Sequence, residues 1–270
     1  MWRKKVNLVV GLTTCNTECL DISIPALGRL CKNFTLIIHN DNPDIKLKHK
    51  YIRKLGYRGN LHIINSDFNI GLLASRCTIL KYIKDKKLTN TWTVFIDDDD
   101  VLLDTTIPSV NDSTFAIVQN AAIIRTQLVD VLRASKYGKY NIDNENTFLA
   151  QPHIGITGTI IKTQYLIQWY DIIKEHADTI SDINESISFR LPVDLIMWSG
   201  VNTIATNAGM SSIYMDRVNY IVSDIDTAKT KYGKLIAPTS NTKKQIKSVI
   251  SKFDAIVTGA LNTAAPAGQD

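Results

Sequence analysis

Four consecutive aspartates, Asp97, Asp98, Asp99 and Asp100, follow a run dominated by large apolar and β-branched residues, Trp92-Thr93-Val94-Phe95-Ile96. Two unit charges about 4 Å apart repel by about 1 kcal/mol in water and about 4 kcal/mol near a protein surface. Four carboxylates at the end of a buried strand are therefore costly unless a cation sits among them. All-oxygen donors of this kind suit the hard divalent ions Mn2+ or Mg2+ rather than zinc or copper. Such ions commonly bring phosphates with them, so the chemistry expected here acts on a phosphate-bearing substrate. Successive strand residues point to opposite sides, which lets Asp97 and Asp99 share one side as a D-x-D pair. The bland alternative is a solvated turn or the acidic first turn of a helix, where the helix dipole favours carboxylates.

Positioning these acids falls to an alternation of strand-like and helix-like stretches over the first 125 residues. Residues 6–12, 34–38, 61–64, 93–96 and 115–124 read as strands, being short, apolar and rich in β-branched side chains. Ser23-Ile24-Pro25 reads as a helix start, with Ser as N-cap and Pro in the first turn. A second helix is expected over 71–85. Such alternation implies a mostly parallel sheet flanked by helices, an α/β fold whose ligands bind beyond the carboxyl ends of the strands. Those ends are polar here: residues 11–16, 39–44, 65–69 and 97–100 should converge on one crevice. Beyond residue 125 the alternation weakens. Residues 163–176 and 192–199 read as helices, 202–206 and 213–221 as extended. Residues 241–261 form an amphipathic helix with Ile246, Val249, Ile250, Phe253, Ile256 and Val257 on one stripe. The division expected is 1–125 for the alternating half, 126–235 for a second half of the same domain, and 236–270 for a C-terminal helix and tail.

Composition narrows the classes. With 44% hydrophobic residues in 270, the chain can bury a substantial core. A net charge of +5 permits contact with nucleic acid or an anionic surface without arguing for either. The four cysteines, Cys15, Cys19, Cys31 and Cys77, lack zinc spacing and are too few for a disulfide framework, so free thiols in a cytoplasmic setting are expected. No apolar run approaches the roughly 18 residues of a membrane span, and residues 6–12 are too short for a secretory signal.

The strand-end segments VNLVVGLTTCN, LIIHNDNPD, NIGLLASRC and VFIDDDD occur in one order and spacing. In that order they resemble the family-2 glycosyltransferases, nucleotide-sugar-dependent enzymes of the Rossmann-like GT-A fold. The resemblance covers about the first 125 residues well and the next 80 loosely. It implies that Thr14 and Asn16 lie near base and ribose, that Arg76 contacts the base, and that Asp97 and Asp98 sit by the donor. Asp99, with Asp97, would hold Mn2+ or Mg2+, and Asp100 would support them. The family's base-reading aspartate is replaced by His39, so the role passes to Asp41 or the base is read differently. Asp194 matches the family's catalytic base in part, without a second acid before it; Glu185 is second choice. The donor implied is a nucleoside-diphosphate sugar, a UDP-sugar first. The acceptor is open among glycan, lipid-linked sugar, protein and modified nucleic acid. The stripe of 241–261 and the lysines around it are compatible with a core contact, a homodimer or peripheral membrane contact. Trp198 could stack on a sugar or sit in the core.

Two readings of other classes compete. Asp97-x-Asp99 after an apolar run also resembles the first motif of haloacid-dehalogenase-type phosphatases, with Asp97 as nucleophile and Mg2+ beside it. Its later paired-acid motif finds only Ser223-Asp224-Ile225-Asp226. A non-catalytic nucleotide- or glycan-binding module is the other.

Overall fold

The computed structural model describes residues 8–30, 34–124, 147–152, 155–185, 192–223 and 240–264. Its strands are β1 (Leu8–Thr14), β2 (Phe34–Asn40), β3 (Asn60–Asn65), β4 (Trp92–Asp97), β5 (Val101–Leu102), β6 (Thr114–Ile124), β7 (Thr147–Pro152), β8 (Ile160–Lys162) and β9 (Ser211–Ser223). They form one sheet in the order β3-β2-β1-β4-β8-β6-β9-β5, with β7 added on β6. The β3-β2-β1-β4 block is parallel throughout, as the alternation requires. Beyond β4 the sheet is mixed: β8 runs antiparallel to both β4 and β6, while β6 and β9 are parallel. Most paired residues among the described strands lie in parallel ladders, and the sheet is continuous across residue 125.

Helices cover it: α1 (Leu20–Arg29), α2 (His49–Lys54), α3 (Gly71–Asp85), α4 (Thr163–Glu175), α5 (Ala177–Glu185), α6 (Val193–Asn207) and α7 (Ser240–Ala264). Strand alternation divides the core. Val9, Ile37 and Phe95 face α3 and α4, packing with Ile79, Leu80 and Ile83. Leu8, Val10, Leu12, Leu36 and Ile38 face α1, packing with Leu20, Ile24 and Leu27.

Two expectations change, and one alternative is settled in part. The first helix begins at Leu20, before Ser23, and carries Pro25 inside it. The turn that starts it is built upstream, where the Asn16 side chain accepts the Glu18 amide and the Cys19 amide bonds the Asn16 carbonyl. Residues 202–206 are helical within α6: their β-branched side chains suggested a strand, but Val201, Ile204 and Ala205 fill the core from one helix face. The stripe of α7 is turned inward. Val249, Phe253 and Val257 are buried with Trp169, Met197 and Val201, leaving Lys244, Lys247 and Lys252 exposed. Those three residues are therefore spent on the chain's own core, one of the fates expected for the stripe. Gly200 makes the close approach possible: a Cβ there would lie 2.5 Å from Trp169 Nε1 and 3.3 Å from Val257 Cγ2.

Among the described residues no helix is long and apolar enough to cross a membrane. Cys19 and Cys77 are free thiols. Cys31 and residues 224–226 lie outside the described residues.

Candidate functional site

In the order β3-β2-β1-β4 the chain moves outward in one direction from β1 and then returns to its other side with β4. A crevice opens at such a reversal, beyond the carboxyl ends of the two strands. Thr13 and Thr14 end β1 there, and Asp97 ends β4 opposite, in register with Thr13. A cavity of about 1050 Å3 occupies this place. Thr14, Asn16, Asp41, Asp97, Asp98, Asp99 and Asp194 all border it, so most of the residues expected at the site are brought together. Leu72, Leu73, Ile173, Ile180 and Leu195 make its other side apolar.

The four aspartates have separate fates. Asp97 Oδ1 accepts from Arg76 Nη2 at 3.1 Å. Asp98 Oδ2 accepts from the Thr14 hydroxyl at 2.5 Å, and the Asn16 amide also bonds this carboxyl. Asp100 is buried, with the Tyr220 phenol of β9 donating to it. No side-chain donor among the described residues reaches Asp99. Burial, reinforced by the charge of Asp97, pushes the Asp99 carboxyl up to about 6. Burial likewise pushes Asp98 up to about 7, with Asp99 and Asp97 adding to the rise and its hydrogen bonds opposing it. Burial thus makes ionising Asp98 and Asp99 costly, an imbalance that a nearby cation would offset.

That imbalance, with an all-oxygen donor set, fits a hard divalent cation. Among the described residues no three His, Cys, Asp and Glu side chains gather into a closed metal cage. Mg2+ and similar ions need none, since they are held by one or two carboxylates with phosphates and waters completing the shell. Asp99 and Asp97 are the residues that would hold one.

Asp41 has a structural task. Its amide bonds the Thr14 carbonyl at 2.7 Å, and its two oxygens accept the amides of Ile70 and Gly71 at 2.7 and 2.8 Å. These are unpaired donors at the start of α3, where a carboxylate also meets the positive end of the helix dipole. Gly71 has φ +80°, so the N-x-G turn needs glycine for its backbone.

Two residues expected at the site do not line the cavity. His39 does not border the cavity; strand alternation puts it on the face of Ile37, beneath α3, where it is buried. Burial lowers its pKa, with Asp41 opposing, so it is held toward the neutral imidazole. Arg76 is fully buried and does not border the cavity. Its Nη1 donates to Asp194 Oδ1 at 2.6 Å, and its Nη2 donates to Asp97 and, at 2.8 Å, to the Thr157 hydroxyl. Its guanidinium rests over the Phe95 ring, 5.6 Å from the centroid. Gly11 makes room for that ring, since a Cβ there would lie 2.8 Å from Phe95.

Asp194 enters the site from the first turn of α6, with Pro192 at the N-cap. Besides Arg76 it accepts the Thr157 hydroxyl through the same oxygen. Thr157 is presented by residues 155–159, docked where the Gly158 amide bonds the Phe95 carbonyl at 2.8 Å. Gly158 has φ +75°, and a Cβ there would stand 2.8 Å from the Tyr220 ring. Thr157 and Tyr220 were not anticipated as site residues. Gly155 and Gly158 beside Thr157 are the one sequence signal for the first; nothing in the sequence marks Tyr220. Trp198 stacks on Phe115, with ring centroids 6.0 Å apart, and belongs to the core.

No family model and no curated protein matches the sequence. Solved structures resemble the chain at low identity. TarS of S. aureus is 13% identical, with a TM-score of 0.47 over 98% of this chain and 44% of that one. The glycosyltransferase GlyE of Streptococcus pneumoniae TIGR4, in its apo form, is 9% identical, with a TM-score of 0.43 over 97% and 64%. The mannosyltransferase PcManGT of Pyrobaculum calidifontis, solved with GDP-Man and Mn2+, is 12% identical, with a TM-score of 0.42 over 97% and 76%. The chain spans less than two thirds of the first two.

Proposed function

We propose that this chain is a metal-dependent glycosyltransferase of the GT-A type. It would move a sugar from a nucleoside-diphosphate sugar to an acceptor hydroxyl with inversion at the anomeric carbon. One observation carries the reading. At the switch point of a parallel sheet, three of four adjacent aspartates are tied down by Arg76, Thr14 and Tyr220, while Asp99 borders the cavity with no side-chain donor among the described residues. The order of the strand-end motifs points the same way.

In this reading Thr14 and Asn16 border the space for base and ribose, and Asp98 is spent on positioning Thr14. Asp99 and Asp97 hold Mn2+ or Mg2+, which when bound supplies positive charge against the diphosphate and the departing nucleoside diphosphate. Asp194, joined to Asp97 through the Arg76 guanidinium, would serve as the acceptor's general base. A carboxylate is a competent base when it lies within hydrogen-bond reach of the hydroxyl it deprotonates. Asp97 has one oxygen committed to Arg76, which suits a fixed ligand better than the nucleophile of the phosphatase reading.

A thermal-shift panel of UDP, GDP, UDP-glucose, UDP-N-acetylglucosamine and GDP-mannose, each with and without Mn2+, tests this. A nucleotide present at a hundred times its Kd stabilises by about 2.7 kcal/mol, which the melting temperature registers. The reading expects such a response only with metal. Silence across the panel, together with phosphate release from an aryl phosphate, would replace it with the phosphatase.

A further inference from the structure

We propose that Arg76, acting with Thr157, is a positioning residue that fixes the acceptor-side carboxylate Asp194 against the donor-side carboxylate Asp97. This rests on the reading of Asp194 as general base. The geometry is that of a three-way clamp. One guanidinium, wholly buried at the base of the cavity, donates through Nη1 to Asp194 and through Nη2 to Asp97 and Thr157. The Thr157 hydroxyl uses both of its capacities at once, accepting from Arg76 and donating to Asp194. Asp194 Oδ1 is therefore held by two donors whose own positions are fixed.

The parts come from far apart in the chain. Arg76 is on α3, Asp97 at the end of β4, Thr157 in the loop at 155–159 and Asp194 at the start of α6. The guanidinium is seated from below by Phe95, whose ring Gly11 accommodates. A planar fork of five donors can satisfy acceptors in several directions from one plane. Lysine, with a point charge on a flexible stem, cannot hold the three together in a fixed geometry. The clamp links the wall that holds the donor to the wall that takes the acceptor proton. Errors of about 1 Å in such a placement cost on the order of a hundredfold in rate.

Thr157→Val, nearly isosteric, removes the hydroxyl without opening a cavity; Thr157→Ser restores it. Crystal structures of both variants and of Arg76→Lys test the geometry without any substrate. The side chain of Asp194 should leave its native rotamer in Thr157→Val and Arg76→Lys and keep it in Thr157→Ser. Kinetics on the UDP- and GDP-sugars of the panel, read as release of nucleoside diphosphate, should show kcat down tenfold or more in Thr157→Val. KM for the donor and the affinity for UDP with Mn2+ should stay within twofold, and Thr157→Ser should return kcat to within threefold of native. An unmoved Asp194 in Thr157→Val, or a loss confined to KM, overturns the clamp. Full activity of Asp194→Asn instead overturns the assignment of the base, whatever the clamp variants do. A displaced Asp194 in a protein that turns over no nucleotide sugar upholds the clamp and rejects the transferase.

Discussion

Replacing Arg76 with Met is the most searching test of how the site is built. Met fills much of the same volume and stays apolar, so little of the cost comes from an empty cavity. What is lost is a buried cation shared by two carboxylates and a hydroxyl. Removing one partner of a buried ion pair typically costs about 3–5 kcal/mol, because the remaining charge is left without compensation. Asp97 and Asp194 have side chains 33% and 37% exposed, so water can reach them in part. That places the expected loss near the lower end, at about 3 kcal/mol. For a chain of this size, where about 1 kcal/mol shifts the midpoint by 2–4 °C, the melting temperature should fall by about 6–12 °C. Urea unfolding followed by circular dichroism gives the free energy directly. In an Asp97→Asn, Asp194→Asn background the orphaned charges are gone, and the same replacement should cost about 1–3 kcal/mol less, the usual size of coupling between groups in contact. A loss below 1 kcal/mol, or an equal loss in both backgrounds, would refute the reasoning.

Other perturbations read neighbouring parts. Gly158→Ala forces a side chain into a left-handed backbone, at about 1–2 kcal/mol, and against the Tyr220 ring, at about 1–3 kcal/mol more; unfolding midpoints within 2 °C of native would contradict the packing. Tyr220→Phe removes the phenol that donates to buried Asp100 and should cost about 1–3 kcal/mol by urea unfolding, against no change if the phenol is dispensable. The carboxyls of Asp98 and Asp99 are raised to about 7 and 6 in the metal-free fold, above their unfolded value. Their contribution is present at low pH and is lost as pH rises through that range. Metal-free native protein should thus lose melting temperature relative to Asp99→Asn as pH rises from about 4 to about 6 and run parallel to it above that; parallel profiles throughout would show that the raised carboxyl is not real.

Much of the cavity's acidic wall was legible because it is local. The strand-end segments place Thr14, Asn16 and Asp97–Asp100 by alternation alone, and the sheet order then brings them to one edge. His39 went astray for the opposite reason. A strand-end position says nothing about which face a residue takes until the neighbouring helix is placed, and α3 covers it. Arg76 was visible as a basic residue after N-x-G, but its partners lie 21, 81 and 118 residues away, and no periodicity reports such contacts. Tyr220 reaches Asp100 across 120 residues by the same long-range route. The β-branched run at 202–206 misled because packing against the core outweighs intrinsic propensity over so short a stretch.

The central claim is that Asp99 is the carboxylate that meets a metal-bound diphosphate. Isothermal titration of UDP and of GDP into native protein and Asp99→Ala, each with Mn2+ and with EDTA, tests it most directly. The account predicts binding of at least one nucleotide to native protein that needs Mn2+ and is lost in Asp99→Ala, with the variant's fold intact by circular dichroism. Equal binding by native and variant protein, or binding indifferent to Mn2+, would contradict it.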